Sequence, residues 1–173
     1  GLMKELMPGI SRIGYLRGPA SARGDALEAS VRAAARDASL EVVSRTLAAP
    51  EEAAAAVAAL AGQAQAILLA DEPIVPRALP AIVTAAETRL KPLFALDAAL
   101  VARGAMAAFE YDNYRVGLEL SAVVVKLLRG EKPSAISVEN AKADRLWVNI
   151  DAAERTGAKI PPAILARAAV IVD

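Results

Sequence analysis

The stretch "QAILLADEPIVPRALPAIVTAAETRLKPLFAL", residues 65–96, holds a strand candidate, a helix candidate and a second strand candidate in that order. Residues 65–70 and 91–96 are short and apolar, whereas residues 75–90 carry apolar side chains at helical spacing. The prolines at 73, 76 and 80 leave the first residue of this helix open, because each restricts the residue before it. The pattern predicts two parallel strands joined by a crossover helix.

The same alternation continues on both sides of this unit. Further strand candidates are residues 12–16, 40–47, 105–109, 134–140 and 144–150, and further helix candidates are residues 22–39, 50–62, 97–104 and 113–130, a short helix from 151 and another before an apolar tail. Strands that alternate with helices of this length predict βαβ units. We therefore expect one α/β lobe over residues 1–173, with a doubly wound, mostly parallel sheet and helices on both faces.

The composition argues against several classes of function. Twenty basic residues balance twenty acidic ones, so a broad surface for nucleic acid or anionic membrane is not expected. No run of about 18 uncharged apolar residues is present, so we expect no membrane insertion. The chain has no cysteine and no histidine, which excludes disulfides, thiol nucleophiles and the usual base near neutral pH. We expect no cofactor and no metal.

Polar and aromatic residues gather where a ligand is expected. Four of the six aromatic residues lie between Phe94 and Gly117, mixed with acids. Ligands of open α/β sheets bind beyond the carboxyl ends of the strands. The candidate ligand-binding residues in the loops at that edge are Arg17, Ser21, Asp71, Glu72, Asp97, Glu110, Tyr111, Asp112 and Tyr114. Phe94 and Phe109 lie within predicted strands, so we assign both to the core.

Each candidate also has a structural explanation. The acids that follow strands and precede helices are suited to capping, where each contributes about 1 kcal/mol. Tyr111 and Tyr114 either stack on a planar ligand or cover the edge of the sheet. Arg17 and Arg23 either bind a carboxylate with two nitrogens or remain solvated.

The first loop, "RGPASARG" (residues 17–24), does not match the phosphate-binding motifs. It has neither GxGxxG nor GK[ST], so no dinucleotide or P-loop site is predicted. Its backbone amides, at the start of a helix, are still suited to an anion. Ser21 has no histidine partner, and paired carboxylates alone are weak support for hydrolysis. A sugar- or nucleotide-processing enzyme is therefore the least favoured hypothesis.

Five segments carry a resemblance to a known family. They are "MKELMPGISRIGYLRGPASA" (3–22), "LAGQAQAILLADEPIV" (60–75), "KPLFALDAALVARGAMAAFEYDNYRVG" (91–117), "VVVKLLRGEKPSAISVEN" (123–140) and "LWVNIDAAERTGAKIPPAILARA" (146–168). In this order they resemble the substrate-binding proteins of ABC transporters, in the group that binds amino acids such as tryptophan or phenylalanine. Asp97, Asp112 and Tyr114 match the family's pattern, whereas Glu110 replaces its glycine and the first loop is more cationic.

The resemblance implies a lobe of a type I periplasmic-binding-protein-like receptor, which closes on a small solute and passes it to an ABC permease without catalysis. It implies that the chain covers the second lobe. Residues 1–10 would then be the remnant of an inter-lobe helix, and residues 139–173 would cross back towards a first lobe. The implied location is the periplasm or another extracytoplasmic space. No signal peptide is visible at the start, so a gene that begins here would give a cytoplasmic protein.

A second hypothesis treats the chain as an orphan lobe. Such a lobe would expose the apolar surface that normally meets its partner lobe, and symmetric pairing would cover it. The chain would then act as a homodimeric interaction or sensory module.

Overall fold

The computed structural model describes residues 1–137, 141 and 143–173. The helices are α1 (Leu2–Leu6), α2 (Ala22–Asp37), α3 (Ala53–Ala61), α4 (Ile74–Thr88), α5 (Asn113–Leu128), α6 (Ile150–Arg155) and α7 (Pro162–Leu165). The strands are β1 (Arg12–Arg17), β2 (Glu41–Thr46), β3 (Ala66–Leu69), β4 (Leu93–Ala95), β5 (Ala107–Tyr111), β6 (Ala143–Asn149) and β7 (Val170–Val172). Short 3-10 helices cover Pro50–Glu52, Ala98–Arg103 and Pro133–Ala135.

One sheet of seven strands organises the molecule, in the order β2-β1-β3-β4-β5-β6-β7. The strands β1 to β5 are parallel, β6 runs antiparallel to β5, and β7 runs parallel to β6. The predicted α/β class with a mostly parallel sheet is confirmed. Because the strand order reverses direction after β2, the gap between β1 and β3 is the topological switch point of the sheet.

Each face of the sheet has its own apolar core, because successive strand residues point to opposite faces. Leu16 and Leu69 pack with residues of α3 and α4, such as Val57 and Leu79, on one face. On the other face Tyr15, Leu68 and Phe94 pack with residues from α1, α6 and α7, and Val31 of α2 borders this core. Helices therefore cover both faces, as predicted. Phe94 is buried, and Phe109 packs against the second core.

The prediction for residues 134–140 was partly wrong. Pro133–Ala135 form a 3-10 turn because Pro133 fixes its own φ near the helical value and donates no backbone hydrogen bond. Residues 138–140 of that predicted strand lie outside the described residues. The apolar tail was not assigned to the sheet, yet it supplies β7, which pairs with β6 through Trp147 and Val170.

Helix α5 differs from every other long helix of the described chain, since none of its residues is buried. It nevertheless carries a row of exposed apolar side chains, namely Leu118, Leu120, Val124, Val125, Leu127 and Leu128. Among the residues that the structure describes, no helix has the length and apolar character needed to cross a bilayer.

Candidate functional site

The carboxyl ends of β1, β3, β4 and β5 meet at one edge of the sheet, because these strands are parallel. A cavity of about 320 Å³ lies at this edge, at the switch point between the loops that follow β1 and β3. Its lining residues are Pro19, Ser21, Arg23, Gly24, Glu72, Pro73, Ile74 and Arg77. Clefts at switch points are the usual ligand sites of open α/β sheets.

Arg17, the last residue of β1, is buried and paired within the chain. Its Nη1 donates to Glu28 and its Nη2 to Asp25, both at 2.7 Å. These hydrogen bonds raise the pKa of Arg17 further above its ordinary value. Both partners lie on α2, so the guanidinium ties this helix to the end of β1. Its terminal nitrogens are therefore already used by carboxylates of the chain itself.

Glu28 is the second member of this ion cluster. Burial alone would raise the pKa of Glu28, but hydrogen bonds from Ser44, Arg17 and Arg32 outweigh burial and lower it to about 2. The Ser44 hydroxyl lies 2.6 Å from Oε1, and Arg32 Nη2 donates to the same oxygen at 2.7 Å. The cluster thus joins β1, β2 and α2 beside the candidate site.

Ser21 is the N-cap of α2. Its Oγ accepts a hydrogen bond from the backbone nitrogen of Gly24 at 3.0 Å. Such a cap satisfies one of the backbone donors that every helix leaves unpaired at its start. The hydroxyl also lines the cavity, so capping and ligand contact are compatible at this position.

The two acids after β3 have different surroundings. Asp71 is exposed and pairs with Arg23 across the cavity mouth, with 2.6 Å between Oδ2 and Nη2. Glu72 is buried, and its Oε2 accepts a hydrogen bond from the backbone nitrogen of Gly18. The amide of Gly18 in the first loop is therefore occupied by the chain's own Glu72. Anion binding by the amides at the start of α2 stays a prediction.

Tyr15 lies two residues before Arg17 in β1, so both side chains point to the same face of the sheet. Burial, reinforced by the nearby charges of Glu72 and Glu28, raises the pKa of the Tyr15 phenol to about 12. Its hydroxyl has no hydrogen-bond partner among the described residues. The phenol is therefore neutral at physiological pH and is available as a donor.

The acids after β4 and within β5 have structural partners. Asp97 caps the following 3-10 helix, where its Oδ1 accepts from the nitrogen of Ala99 at 2.9 Å. Glu110 accepts a hydrogen bond from Trp147 Nε1 at 2.8 Å and lies 3.4 Å from Arg145. Trp147 was not predicted as part of this edge, because the register between β5 and β6 cannot be read from spacing alone.

The loop after β5 presents its aromatic residues to solvent. Asp112 caps α5 and accepts from the nitrogens of Tyr114 and Arg115, both at 3.1 Å. Tyr111 and Tyr114 are 52% and 77% exposed, so neither is held by packing within the described chain. Exposed rings are suited to stacking on a planar group.

Direct contacts join two of the predicted loops at this edge of the sheet. Contacts connect the loops after β1 and β3 through Gly18 with Glu72 and through Arg23 with Asp71. No hydrogen bond between described residues joins this group to Asp97 or Asp112. Arg77 of α4 was missed, since nothing in the sequence distinguishes it from a solvated helical arginine. It lines the cavity and makes no hydrogen bond or ion pair with any described residue.

No group of three or more acidic side chains suitable for a metal ion occurs within residues 1–137, 141 and 143–173. The site therefore consists of carboxylates, guanidinium groups, hydroxyls, backbone amides and aromatic rings.

The strand order and the polar edge define an α/β lobe of the periplasmic-binding-protein type. The family model for ABC transporter substrate binding proteins matches residues 1–172, so the chain belongs to this family. Comparison with the curated proteins gives no significant match.

Solved structures share the fold of this chain. A conserved domain protein from Vibrio cholerae O1 biovar El Tor is 29% identical, with a TM-score of 0.78 over 98% of this chain and 57% of its own. An ABC domain from Streptococcus pneumoniae in complex with L-Trp is 23% identical, with a TM-score of 0.78 over 99% of this chain and 58% of its own. A substrate-binding protein with adhesive properties from Clostridium difficile, in its ligand-free, open form, is 19% identical, with a TM-score of 0.85 over 99% and 57%. The chain thus spans less than two thirds of each of these proteins.

Proposed function

We propose that this chain is the solute-binding part of an ABC uptake transporter. It binds a small polar solute such as an amino acid outside the cytoplasm and delivers it to a permease, without catalysing a reaction. The carrying observation is the cavity at the switch point between β1 and β3, lined by charged and hydroxyl side chains, in a chain of the substrate-binding family. The L-Trp complex of the Streptococcus pneumoniae domain supports an amino acid as the solute.

Eight of the nine predicted residues have a role in this proposal, and the geometry makes the roles of Arg17, Glu110 and Asp112 structural. Asp97 and Asp71 accept hydrogen bonds from a solute ammonium, and Tyr111 or Tyr114 stacks on its side chain. Arg17 is committed to Asp25 and Glu28, so it positions the first loop instead of holding the solute carboxylate.

That role passes to Arg77, with help from the Ser21 hydroxyl. Arg77 has no carboxylate partner among the described residues and lines the same cavity. A guanidinium that is not yet paired can bind a carboxylate with two parallel hydrogen bonds. Glu110 accepts a hydrogen bond from Trp147 of β6, and Asp112 caps α5, so both have structural roles.

Calorimetry with a panel of amino acids tests the proposal. A single lobe offers half of a cleft, so we expect weak binding, with a Kd of about 1 mM for the best solute, or about −4 kcal/mol. Arg77→Ala should weaken that binding at least fivefold, whereas Glu41→Gln, at the opposite edge of the sheet, should leave it unchanged. Sub-micromolar binding by this chain would overturn the half-cleft interpretation, and no binding by any amino acid would overturn the proposed solute class.

A second candidate function rests on α5. This helix is unburied along its whole length yet exposes six large apolar side chains. Exposed apolar patches of this kind mark surfaces that bind another protein. Pairing of two copies through α5 would make the chain an interaction or sensory module.

A further inference from the structure

Glu72 occupies a cradle that would otherwise suit an external anion. The Gly18 nitrogen donates to Oε2, and the first turn of α2 lies beside the carboxylate. A Cβ on Gly24 would lie 3.0 Å from Arg17 Nη2 and from Ser21 Oγ, and closer still to Glu72 Oε1. A Cβ on Gly18 would likewise overlap Oε2. Because neither glycine has a Cβ, a carboxylate fits between them. The chain fills this space with the side chain of Glu72 from the loop after β3.

The carboxylate is nevertheless only half satisfied. Glu72 is 8% exposed, and its Oε1 has no hydrogen-bond partner among the described residues. The other buried side-chain atoms in that condition are Tyr15 Oη and Arg17 Nε, and both belong to the end of β1 next to this cradle. A buried acceptor without a partner opposes folding, because it has lost its hydrogen bonds to water. A ligand that brings a donor to Oε1 would therefore be bound favourably.

The neighbouring cations do not supply that donor. Arg17 pairs with Asp25 and Glu28, and Arg23 pairs with Asp71. No salt bridge between described residues includes Glu72. The lining of the cavity therefore includes one buried carboxyl without an ion-pair partner, Glu72, and one guanidinium without an ion-pair partner, Arg77, among the described residues.

We propose that Glu72 is a specificity-determining residue, which excludes solute anions from the cradle and selects a positively charged hydrogen-bond donor at the base of the cavity. This inference rests on the proposed solute-binding function and adds the orientation of the solute. It assigns the solute ammonium to Glu72 instead of Asp71 and Asp97, because Asp71 is paired with Arg23 and Asp97 caps a 3-10 helix. Its ammonium points inwards to Glu72, and any carboxylate lies outwards near Arg77. The terminal torsion of a glutamate is broad, so a small rotation of the carboxylate brings Oε1 to the cavity.

Two probes of similar size and opposite charge test this assignment, n-propylammonium and propionate, titrated at constant ionic strength. Amide chemical shifts of Gly18 and Gly24, measured by NMR, report binding in the cradle itself. We expect the Kd of the wild-type protein for propylammonium to be at least fivefold lower than its Kd for propionate. Equal affinities or a preference for propionate would overturn the proposal. So would binding that leaves the amide chemical shifts of Gly18 and Gly24 unchanged.

Three substitutions then separate charge from structure. Glu72→Gln keeps the shape and an acceptor for Gly18, and should weaken propylammonium binding at least fivefold. Glu72→Asp keeps the charge and should retain the preference for propylammonium. Glu41→Gln removes the same charge far from the cavity and should change the Kd less than twofold. If Glu72→Gln behaves like Glu41→Gln, the proposal fails.

The probe titrations and the calorimetry test the two proposals separately, so one proposal can be overturned while the other stands. Selective propylammonium binding with no amino-acid binding would retain the role of Glu72 and overturn the proposed solute. Amino-acid binding that is unaffected in Glu72→Gln would retain the proposed function and overturn the role of Glu72.

Discussion

Arg17 and Glu28 form a partly buried ion pair whose contribution to the stability of the fold depends on pH. The Glu28 carboxyl has a pKa of about 2 in the folded chain, against an ordinary value of 4.5. A carboxyl whose pKa is lowered by folding stabilises the protein above about pH 4.5, and that contribution is lost as the pH falls towards 2. The Glu28 side chain is 16% exposed, so solvent screens the pair only weakly.

We therefore expect the wild-type free energy of unfolding to fall by about 2 kcal/mol more than that of Glu28→Gln between pH 6 and pH 3. Urea denaturation at each pH measures the difference. Glu41→Gln removes an exposed partner of Arg12 and should follow the wild-type pH dependence. Parallel pH profiles for the wild type and Glu28→Gln would contradict the assignment.

Tyr15 buries a hydroxyl that has no hydrogen-bond partner among the described residues. An unpaired buried hydroxyl opposes folding, because it loses its hydrogen bonds to water. We expect Tyr15→Phe to increase the free energy of unfolding by about 1 kcal/mol. Tyr111→Phe, at an exposed ring, should have no effect. A loss of stability in Tyr15→Phe would show that the hydroxyl has a partner in solution.

Gly104 ends the 3-10 helix after β4 with a φ of +116°. A Cβ there would lie 2.8 Å from Val83 Cγ2, so Gly104→Ala combines backbone strain with a clash in the core. We expect a loss of about 3 kcal/mol, against about 1 kcal/mol for Gly130→Ala, where φ is +88° but the space is open. Chemical denaturation of both variants measures this difference, and equal losses would remove the clash with Val83 from the explanation.

Helices α2 and α5 both begin with a side-chain N-cap, but only α2 has buried residues. Ser21 caps α2, which packs on the sheet, whereas Asp112 caps α5, which buries none of its residues. A helix without tertiary packing depends on its own caps and propensities. The same loss of about 1 kcal/mol per cap should therefore appear in different observables.

Asp112→Ala should increase hydrogen exchange throughout α5 while the global free energy of unfolding stays unchanged. Ser21→Ala should lower the global free energy by about 1 kcal/mol, because α2 unfolds together with the sheet. Hydrogen exchange measured by mass spectrometry, combined with urea denaturation, distinguishes the two results. A global loss in Asp112→Ala would show that α5 contributes to the core after all.

The sequence predicted elements better than contacts. Residues 65–96 contain β3, α4 and β4 because a short apolar run and a longer helical period are local signals. Residues 134–140 were predicted as a strand because Ile136 and Val138 are β-branched. The prediction missed that Pro133 begins a 3-10 turn. The apolar tail became β7 through pairing with β6, and such pairing depends on residues distant in the sequence.

The sequence predicted at which edge of the sheet the candidate site lies, but not the side-chain contacts within it. The rule for parallel strands placed Arg17, Asp71 and Asp97 at one edge of the sheet. It did not reveal that Arg17 is neutralised by Asp25 and Glu28, because that requires the orientation of α2 against β1. Nor did it distinguish the exposed Asp71 from the buried Glu72, since adjacent loop residues give no periodic signal.

Helix α5 carries an apolar surface that stays exposed among the described residues. The surface consists of Leu118, Leu120, Val124, Val125, Leu127 and Leu128, on a helix that belongs to neither core. Burial of apolar surface contributes roughly 25 cal/mol per Å². Pairing through α5 with a second copy of the chain would bury these six side chains and so be favourable. The chain should therefore self-associate.

We expect multi-angle light scattering to show a mass that rises from one chain towards two with concentration. The double variant Leu120→Glu/Leu128→Glu should remain a monomer, because a new carboxylate would have to be buried in any pairing through α5. Leu90→Glu places the same charge at an isolated exposed leucine outside α5, and should associate like the wild type. A wild-type chain that stays monomeric at high concentration, with α5 helical by NMR, would show that the exposed row is too narrow to hold two copies together.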